Sequence, residues 1–146
     1  MASRRHPLED PEVKYDFLEQ RIRSFLGRRF EDFCSDYVVR HWPCLEIGKW
    51  WGPDSERQIQ EIDIVATVLE GDVKVSLYGE CKFIRPAVAH SVYRRLVDVS
   101  DLTRDDRTRR YVVFSVSGFD FDLEEEADAG RVRLIGLDEL IWDGNA

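Results

Sequence analysis

Glu61-Ile62-Asp63-Ile64-Val65-Ala66-Thr67-Val68-Leu69, then Gly71-Asp72, then a run ending in Gly79-Glu80-Cys81-Lys82-Phe83, decides how this chain folds. The first run alternates and is rich in Ile and Val, which predicts a strand over 61–69. Gly71-Asp72 predicts a hairpin turn, and a second strand follows over 73–83. Side chains two apart on a strand share a face. Glu80 and Lys82 therefore point one way and Cys81 the other, while Ile62 and Ile64 point away from Asp63. If the two strands pair as a hairpin, Asp63 sits beside Glu80. Two carboxylates and an ammonium then converge on one sheet face.

Working outward, residues 1–10 read as a flexible leader or linker, and 11–146 as one domain. Pro11 suits a first helical turn. Val13, Phe17, Ile22 and Phe25 carry an approximate helical stripe through Leu26. Gly27 is placed to bend or interrupt it. A second helix is expected from about Arg28 to Arg40, with Phe30, Phe33, Tyr37 and Val38 on one face and Pro43 as its stop. Cys44 to Trp51 reads as an edge strand before the Gly52-Pro53 turn, and 54–60 as a loop.

Beyond the hairpin, Pro86 opens an expected helix to about Leu102, with Val88, Val92, Leu96 and Val99 at helical spacing. Residues 110–118 are apolar enough for a strand buried on both faces. Asp120 is placed to cap a short acidic helix over 123–129, ended by Gly130. A strand over 131–136 and a helical turn over 137–142 complete an order α-α-β-β-β-α-β-α-β-α. An antiparallel meander followed by helical crossovers gives an α/β fold, a mixed sheet with helices packed around it.

Composition sets the class. At 146 residues and 43% hydrophobic, the chain can bury a core and fold. No run approaches the roughly 18 apolar residues of a membrane span, and the polar N-terminus lacks a signal-peptide core, so an intracellular, cytoplasmic protein is expected. Cys34, Cys44 and Cys81 are odd in number and widely spaced, which argues against a disulfide framework or a zinc site and for reduced, buried thiols. The net charge of −8 opposes strong nonspecific DNA affinity. Its distribution is uneven: 84–110 carries seven Arg and four Asp, whereas 119–143 carries nine acids and two Arg. Nucleic acid should prefer the first segment and avoid the second.

The convergent Asp63, Glu80 and Lys82 suit phosphodiester hydrolysis. A hard cation such as Mg²⁺ takes one or two carboxylates and keeps several waters. It polarises a phosphate oxygen, activates water and offsets developing charge. On this reading Asp63 and Glu80 are metal ligands, with the Cys81 backbone carbonyl able to add another. Lys82 positions the nucleophile or stabilises the transition state. Alternating Glu and Lys on a strand also describes a solvated face with cross-strand pairs. Asp63, set between Ile62 and Ile64, weighs against that simpler pattern.

These elements resemble the PD-(D/E)XK superfamily, which includes restriction endonucleases and archaeal Holliday-junction resolvases. Glu-Ile-Asp-Ile-Val-Ala and Gly-Glu-Cys-Lys carry the resemblance. Gly27-Arg28-Arg29-Phe30-Glu31 resembles the superfamily's first-helix motif, which implies a further acidic site residue at Glu31, able to join the metal ligands. Ile47-Gly48-Lys49-Trp50-Trp51-Gly52, followed by the two strand motifs, looks like the C-terminal domain of unknown function in archaeal and bacterial P-loop ATPases. The resemblance spans roughly Pro11 to Leu140. It implies a restriction-endonuclease-like fold, Mg²⁺ (with Mn²⁺ able to substitute), duplex or branched DNA as substrate, a homodimer, and a P-loop ATPase in cis or trans. Ile62 replaces the Pro of the superfamily's name, and no Gln follows Lys82 on the next helix. No P-loop motif occurs in this sequence, so the ATPase would be a separate region or chain. A noncatalytic module that keeps the nuclease fold and serves such an ATPase is the competing reading.

Other residues carry weaker signals. Arg94 and Arg95 are placed to contact phosphates, or to form a solvated helix face. Trp50 and Trp51 suit base stacking, although packing accounts for large aromatics more often. His90 could meet DNA, or be a surface histidine.

Overall fold

A computed structural model describes residues 11–143; the side chains of 11–19, 21–25 and 141–143 lie outside the described ones, as does the expected leader. The elements run α1 (Pro11–His41), β1 (Cys44–Pro53), β2 (Ile59–Glu70), β3 (Val73–Lys82), α2 (His90–Asp101), β4 (Arg109–Ser115), α3 (Phe121–Asp128), β5 (Arg133–Gly136) and α4 (Leu137–Asp143).

The first correction is that one helix replaces the two expected before β1. Gly27 does not break α1. A mid-helix glycine costs only about 1 kcal/mol relative to alanine, and its flanks (Leu26, Arg28, Arg29) are good helix formers. The stripe Val13, Phe17, Ile22 and Phe25 falls among side chains outside the described ones. The buried face farther along is Phe30, Cys34, Tyr37 and Val38, at helical spacing. Phe33, expected on that face, is 63% exposed, and Cys34 takes its place in the core.

The strands form one sheet in the order β1-β2-β3-β4-β5. β1, β2 and β3 are the antiparallel meander, with β1 at the edge as expected. A two-residue turn at Gly71 and Asp72 closes the β2–β3 hairpin, and Gly71 takes a positive φ that a side chain would disfavour. β4 and β5 then add in parallel through helical crossovers. β2 starts earlier than expected because Ile59 and Gln60 pair with Pro53 and Gly52. The intervening turn is short because Asp54 accepts the N–H groups of Glu56 and Gln58 at 2.8 and 2.9 Å.

The helix expected from Pro86 begins only at His90. Val88 is drawn instead into a backbone bridge: its N–H donates to the Gly118 carbonyl, and its carbonyl accepts from Asp120, both at 2.9 Å. Asp120 caps α3, its carboxylate accepting the Leu123 N–H at 2.8 Å. β4 and β5 are shorter than the runs expected for them; Ser115 Oγ donates to the Gly118 carbonyl as the chain turns out of the sheet.

Helices cover both faces. α1 packs on the side of Ile64, Ala66, Leu77 and Phe114. α2 and α3 pack on the side of Ile62, Tyr78, Val113 and Val132 through Leu96, Val99 and Leu123. The interior strand β4 is buried on both faces at Val112, Val113 and Phe114, as its apolar run implies. Of the three thiols, Cys34 is buried and Cys44 and Cys81 only partly so. No helix among the described residues is long and apolar enough to cross a membrane.

Candidate active site

Asp63 sits at an irregularity that the alternation of its strand hides. β2 pairs with β1 as Gly48↔Val65 and then Trp50↔Ile62, so Asp63 and Ile64 together oppose Lys49. Such a bulge adds a residue to one strand, kinks it and re-aims a side chain. The expectation that Ile62 and Ile64 share the face away from Asp63 is thereby corrected: Ile64 is buried under α1, and Ile62 under α2. The β2–β3 register runs from Glu70↔Val73 to Ile64↔Gly79. Just past it, Asp63 Oδ2 accepts the Cys81 N–H at 2.9 Å. The carboxylate thus occupies a position that a backbone carbonyl would fill in a continuous ladder.

Glu80 lies at the end of β3 on the same face as Tyr78, with only 8% of its side chain exposed. Lys82 Nζ stands 3.4 Å from Glu80 Oε1, and Arg95 Nη1 of α2 stands 4.0 Å from Oε2. Burial, and next the negative charge of Asp63, push the Glu80 carboxyl up to about 7; Lys82 and Arg95 pull in the other direction. Burial also raises the Asp63 carboxyl, as does Glu31, against the Cys81 N–H, Lys49 and Lys82. Charge on both carboxylates is therefore disfavoured chiefly by burial, although Lys82 acts on each. That oxygen-only pair fits a hard divalent cation.

Glu31, on α1, adds its negative charge to the field at Asp63, but its carboxylate is engaged: Lys49 Nζ lies 2.5 Å from Glu31 Oε2. That contact raises the Lys49 ammonium above its usual range. Among the described residues no three His, Cys, Asp or Glu side chains gather as a metal cluster. In the sequence, Lys49 stands out only as part of a motif. Its place opposite Asp63 depends on the bulge, which leaves no residue-type signature in this strand. Cys81 turns its side chain toward the α1 core, where the Cys34 thiol and then burial push its own thiol well up. A protonated, partly buried thiol is a poor nucleophile.

A groove of about 630 Å³ reaches Glu80 through Arg95, and its lining includes Asp54, Gln60, Ser91, Arg94, Arg95 and Asp98. Arg95 Nη2 donates to Gln60 Oε1 at 2.8 Å, and Gln60 Nε2 donates to Asp54 Oδ2 at 3.0 Å. Arg94 and Arg95 thus stand at the groove, whereas His90 pairs with Glu126 at 3.1 Å. Trp50 packs into the α2-side core and lies over Gly52, where a Cβ would come within 2.7 Å of the indole. Trp51 is 67% exposed.

The family model DUF234, described as archaeal and bacterial proteins of unknown function, matches residues 3–94, more than half of the chain. The chain belongs to DUF234. The DUF234 match takes in Glu31, Lys49, Asp63, Glu80 and Lys82, and ends within α2. No curated protein matches the chain in sequence. Among solved structures, the MspJI restriction endonuclease in complex with a 27-mer oligonucleotide is similar at a TM-score of 0.52 and 17% identity, over 96% of this chain and 34% of that one. The chain therefore spans about a third of the length of that endonuclease chain. At this identity the likeness shows the fold: a restriction-endonuclease-like mixed sheet flanked by helices.

Proposed function

We propose that this DUF234 chain is a PD-(D/E)XK-type nuclease domain that hydrolyses DNA phosphodiester bonds with Mg²⁺, or Mn²⁺ in its place. The observation that carries the reading is that Asp63 holds the Cys81 N–H next to Glu80, whose carboxyl feels the Asp63 charge, with Lys82 3.4 Å from Glu80. Asp63 and Glu80 would hold the metal, the Cys81 carbonyl could add a ligand, and Glu31 stands beside them. When bound, the ion supplies Lewis-acid polarisation of the phosphate and a more acidic water. Lys82 extends an ammonium, 31% exposed, from the same face as Glu80. There it can hold the nucleophile in line or meet charge developing on a phosphate oxygen. Arg94 and Arg95 would hold the backbone of the strand in the adjoining groove. The resemblance to nuclease and ATPase-linked domains extends the proposal to a homodimer and to a P-loop ATPase partner.

Purified protein should cut duplex or branched DNA in Mg²⁺ or Mn²⁺. Asp63→Ala and Lys82→Ala should each lower the rate by at least about 10²-fold, the scale of losing a transition-state charge partner, with an unchanged circular dichroism spectrum. Cleavage that persists in both variants, or no cleavage of any DNA topology with either metal, overturns the nuclease reading. The net charge of −8 favours a second reading, a noncatalytic module serving an ATPase. Calorimetry with Mn²⁺ separates the two: the module needs no binding that depends on Asp63 and Glu80.

A further inference from the structure

Arg95 Nη2 donates to Gln60 Oε1 at 2.8 Å, whereas its Nη1 stands 4.0 Å from Glu80 Oε2, beyond hydrogen-bond reach. Gln60, rather than Glu80, therefore sets where the guanidinium points. Gln60 is set in turn by Asp54, whose Oδ2 accepts from its Nε2 at 3.0 Å. The other oxygen of Asp54 is anchored by the N–H groups of Glu56 and Gln58. Hydrogen bonds from Gln60 and then Gln58 hold the Asp54 carboxyl below its usual range, so it stays ionised. An ionised carboxylate only accepts, so the Gln60 amide must turn its NH2 to Asp54 and its carbonyl to Arg95. The three side chains form a one-way brace from the β1–β2 turn to α2. Arg94 lines the same groove without one: among the described residues its side chain makes no hydrogen bond or ion pair.

We propose that Gln60, braced by Asp54, is a positioning residue that fixes the Arg95 guanidinium as a preorganised contact for a DNA phosphate lying in the groove that reaches Glu80. The inference rests on the DNA-binding half of the proposed function and needs no metal ion. A planar fork tied at one nitrogen keeps further N–H donors for phosphate oxygens, and the Arg95 side chain is 46% exposed. An unbraced arginine loses rotamer freedom when a phosphate arrests it; one already ordered by the fold does not lose it again. The supports suit that task, because a strand residue and a turn carboxylate hold their own geometry. The simpler role for Gln60 is a staple between β2 and α2, which would contribute to stability and leave DNA binding unchanged.

Fluorescence anisotropy of a labelled duplex over a KCl series separates the two roles, with EDTA present to prevent metal-dependent cleavage. Arg95→Gln should weaken binding and lower the slope of log K against log salt by about 0.9, one phosphate contact. Gln60→Ala keeps every charge, so the slope should hold while affinity falls roughly 2- to 10-fold, the scale of ordering one long side chain on binding. That loss should vanish in an Arg95→Gln background and persist in an Arg94→Gln background. Gln60→Met, which keeps the length of the side chain without its carbonyl, should behave as Gln60→Ala, and both should keep the wild-type circular dichroism spectrum. Full affinity in the Gln60 variants, whatever their melting temperature, overturns the inference and leaves DNA binding standing. So does an equal loss in both arginine backgrounds, or wild-type binding by Arg95→Gln. No binding of the duplex by the wild type at low salt removes DNA binding itself and this inference with it.

Discussion

Glu80 is nearly enclosed, and without a bound cation its charge is disfavoured by burial and by Asp63. The consequence for stability has a definite sign. The unfolded chain ionises this carboxyl near its ordinary value, and the folded chain near 7. The folded state thus holds a proton the unfolded state has already lost. Its contribution is fully present below the ordinary value and is lost as pH rises through about 7. Asp63, raised as well, acts in the same direction. The Glu80 share is on the order of 1–3 kcal/mol, because a tenfold change in proton affinity is worth about 1.4 kcal/mol. Glu80→Gln cannot ionise, so its advantage over the wild type in metal-free buffer should grow by that amount from pH 4.5 to pH 8. Urea melts across this range provide the measurement, and parallel stability curves for the two proteins would show that Glu80 does not titrate in this way.

At the level of elements, the β2–β3 hairpin depends on a glycine next to the site. An added Cβ at Gly79 would lie 3.1 Å from Ile64 Cβ and from Val112 Cγ1. The missing side chain lets β2 and β4 close on β3 just before Glu80. Gly79→Ala should cost about 1–3 kcal/mol through overpacking. Val112→Ala should recover part of that, so the two substitutions couple when denaturation free energies are compared in a double-mutant cycle. Simple additivity would place the cost elsewhere. The hairpin itself was legible: β-branched alternation, Gly71-Asp72 and the acidic spacing all acted locally. The bulge was not, because nothing in Ile62-Asp63-Ile64 distinguishes a regular strand from one that gains a residue opposite Lys49. The same limit explains α1 and α2. Gly27 looked like a break but costs too little to end a long helix. Val88 continued a helical stripe, yet hydrogen bonds to Gly118 and Asp120, far along the chain, hold it outside α2. Periodicity records the local preference, and tertiary pairing decided against it.

Over the whole molecule, the charge asymmetry of the sequence becomes a direction. The arginines of 84–110 are not equally available: Arg107 bonds Thr67, Arg109 pairs with Asp101, and Arg110 pairs with Glu70. Arg94 and Arg95 line the groove beside Glu80, where Arg95 also donates to Gln60 and stands 4.0 Å from Glu80. On the β4–β5 side, a cavity of about 670 Å³ is lined by Glu124, Asp128, Asp138 and Glu139, among other residues, and should repel phosphate. The uneven charge was legible from composition, but which arginines line the groove and which are tied to other strands required the fold. A polyanion should therefore follow α2 across the Asp63–Glu80 pair and keep clear of α3 and α4. With Lys82→Ala as a cleavage-poor background, fluorescence anisotropy of a labelled duplex over a KCl series measures the phosphates engaged. Each lost contact lowers the slope of log K against log salt by about 0.9 on duplex DNA. Arg94→Gln/Arg95→Gln should flatten it by roughly 2 and weaken binding similarly across sequences. Glu124→Gln/Asp128→Asn should leave the slope unchanged. An equal slope in the arginine variant would place the DNA elsewhere on the protein. A shift only in the acidic variant would place it at the cavity between α3 and α4.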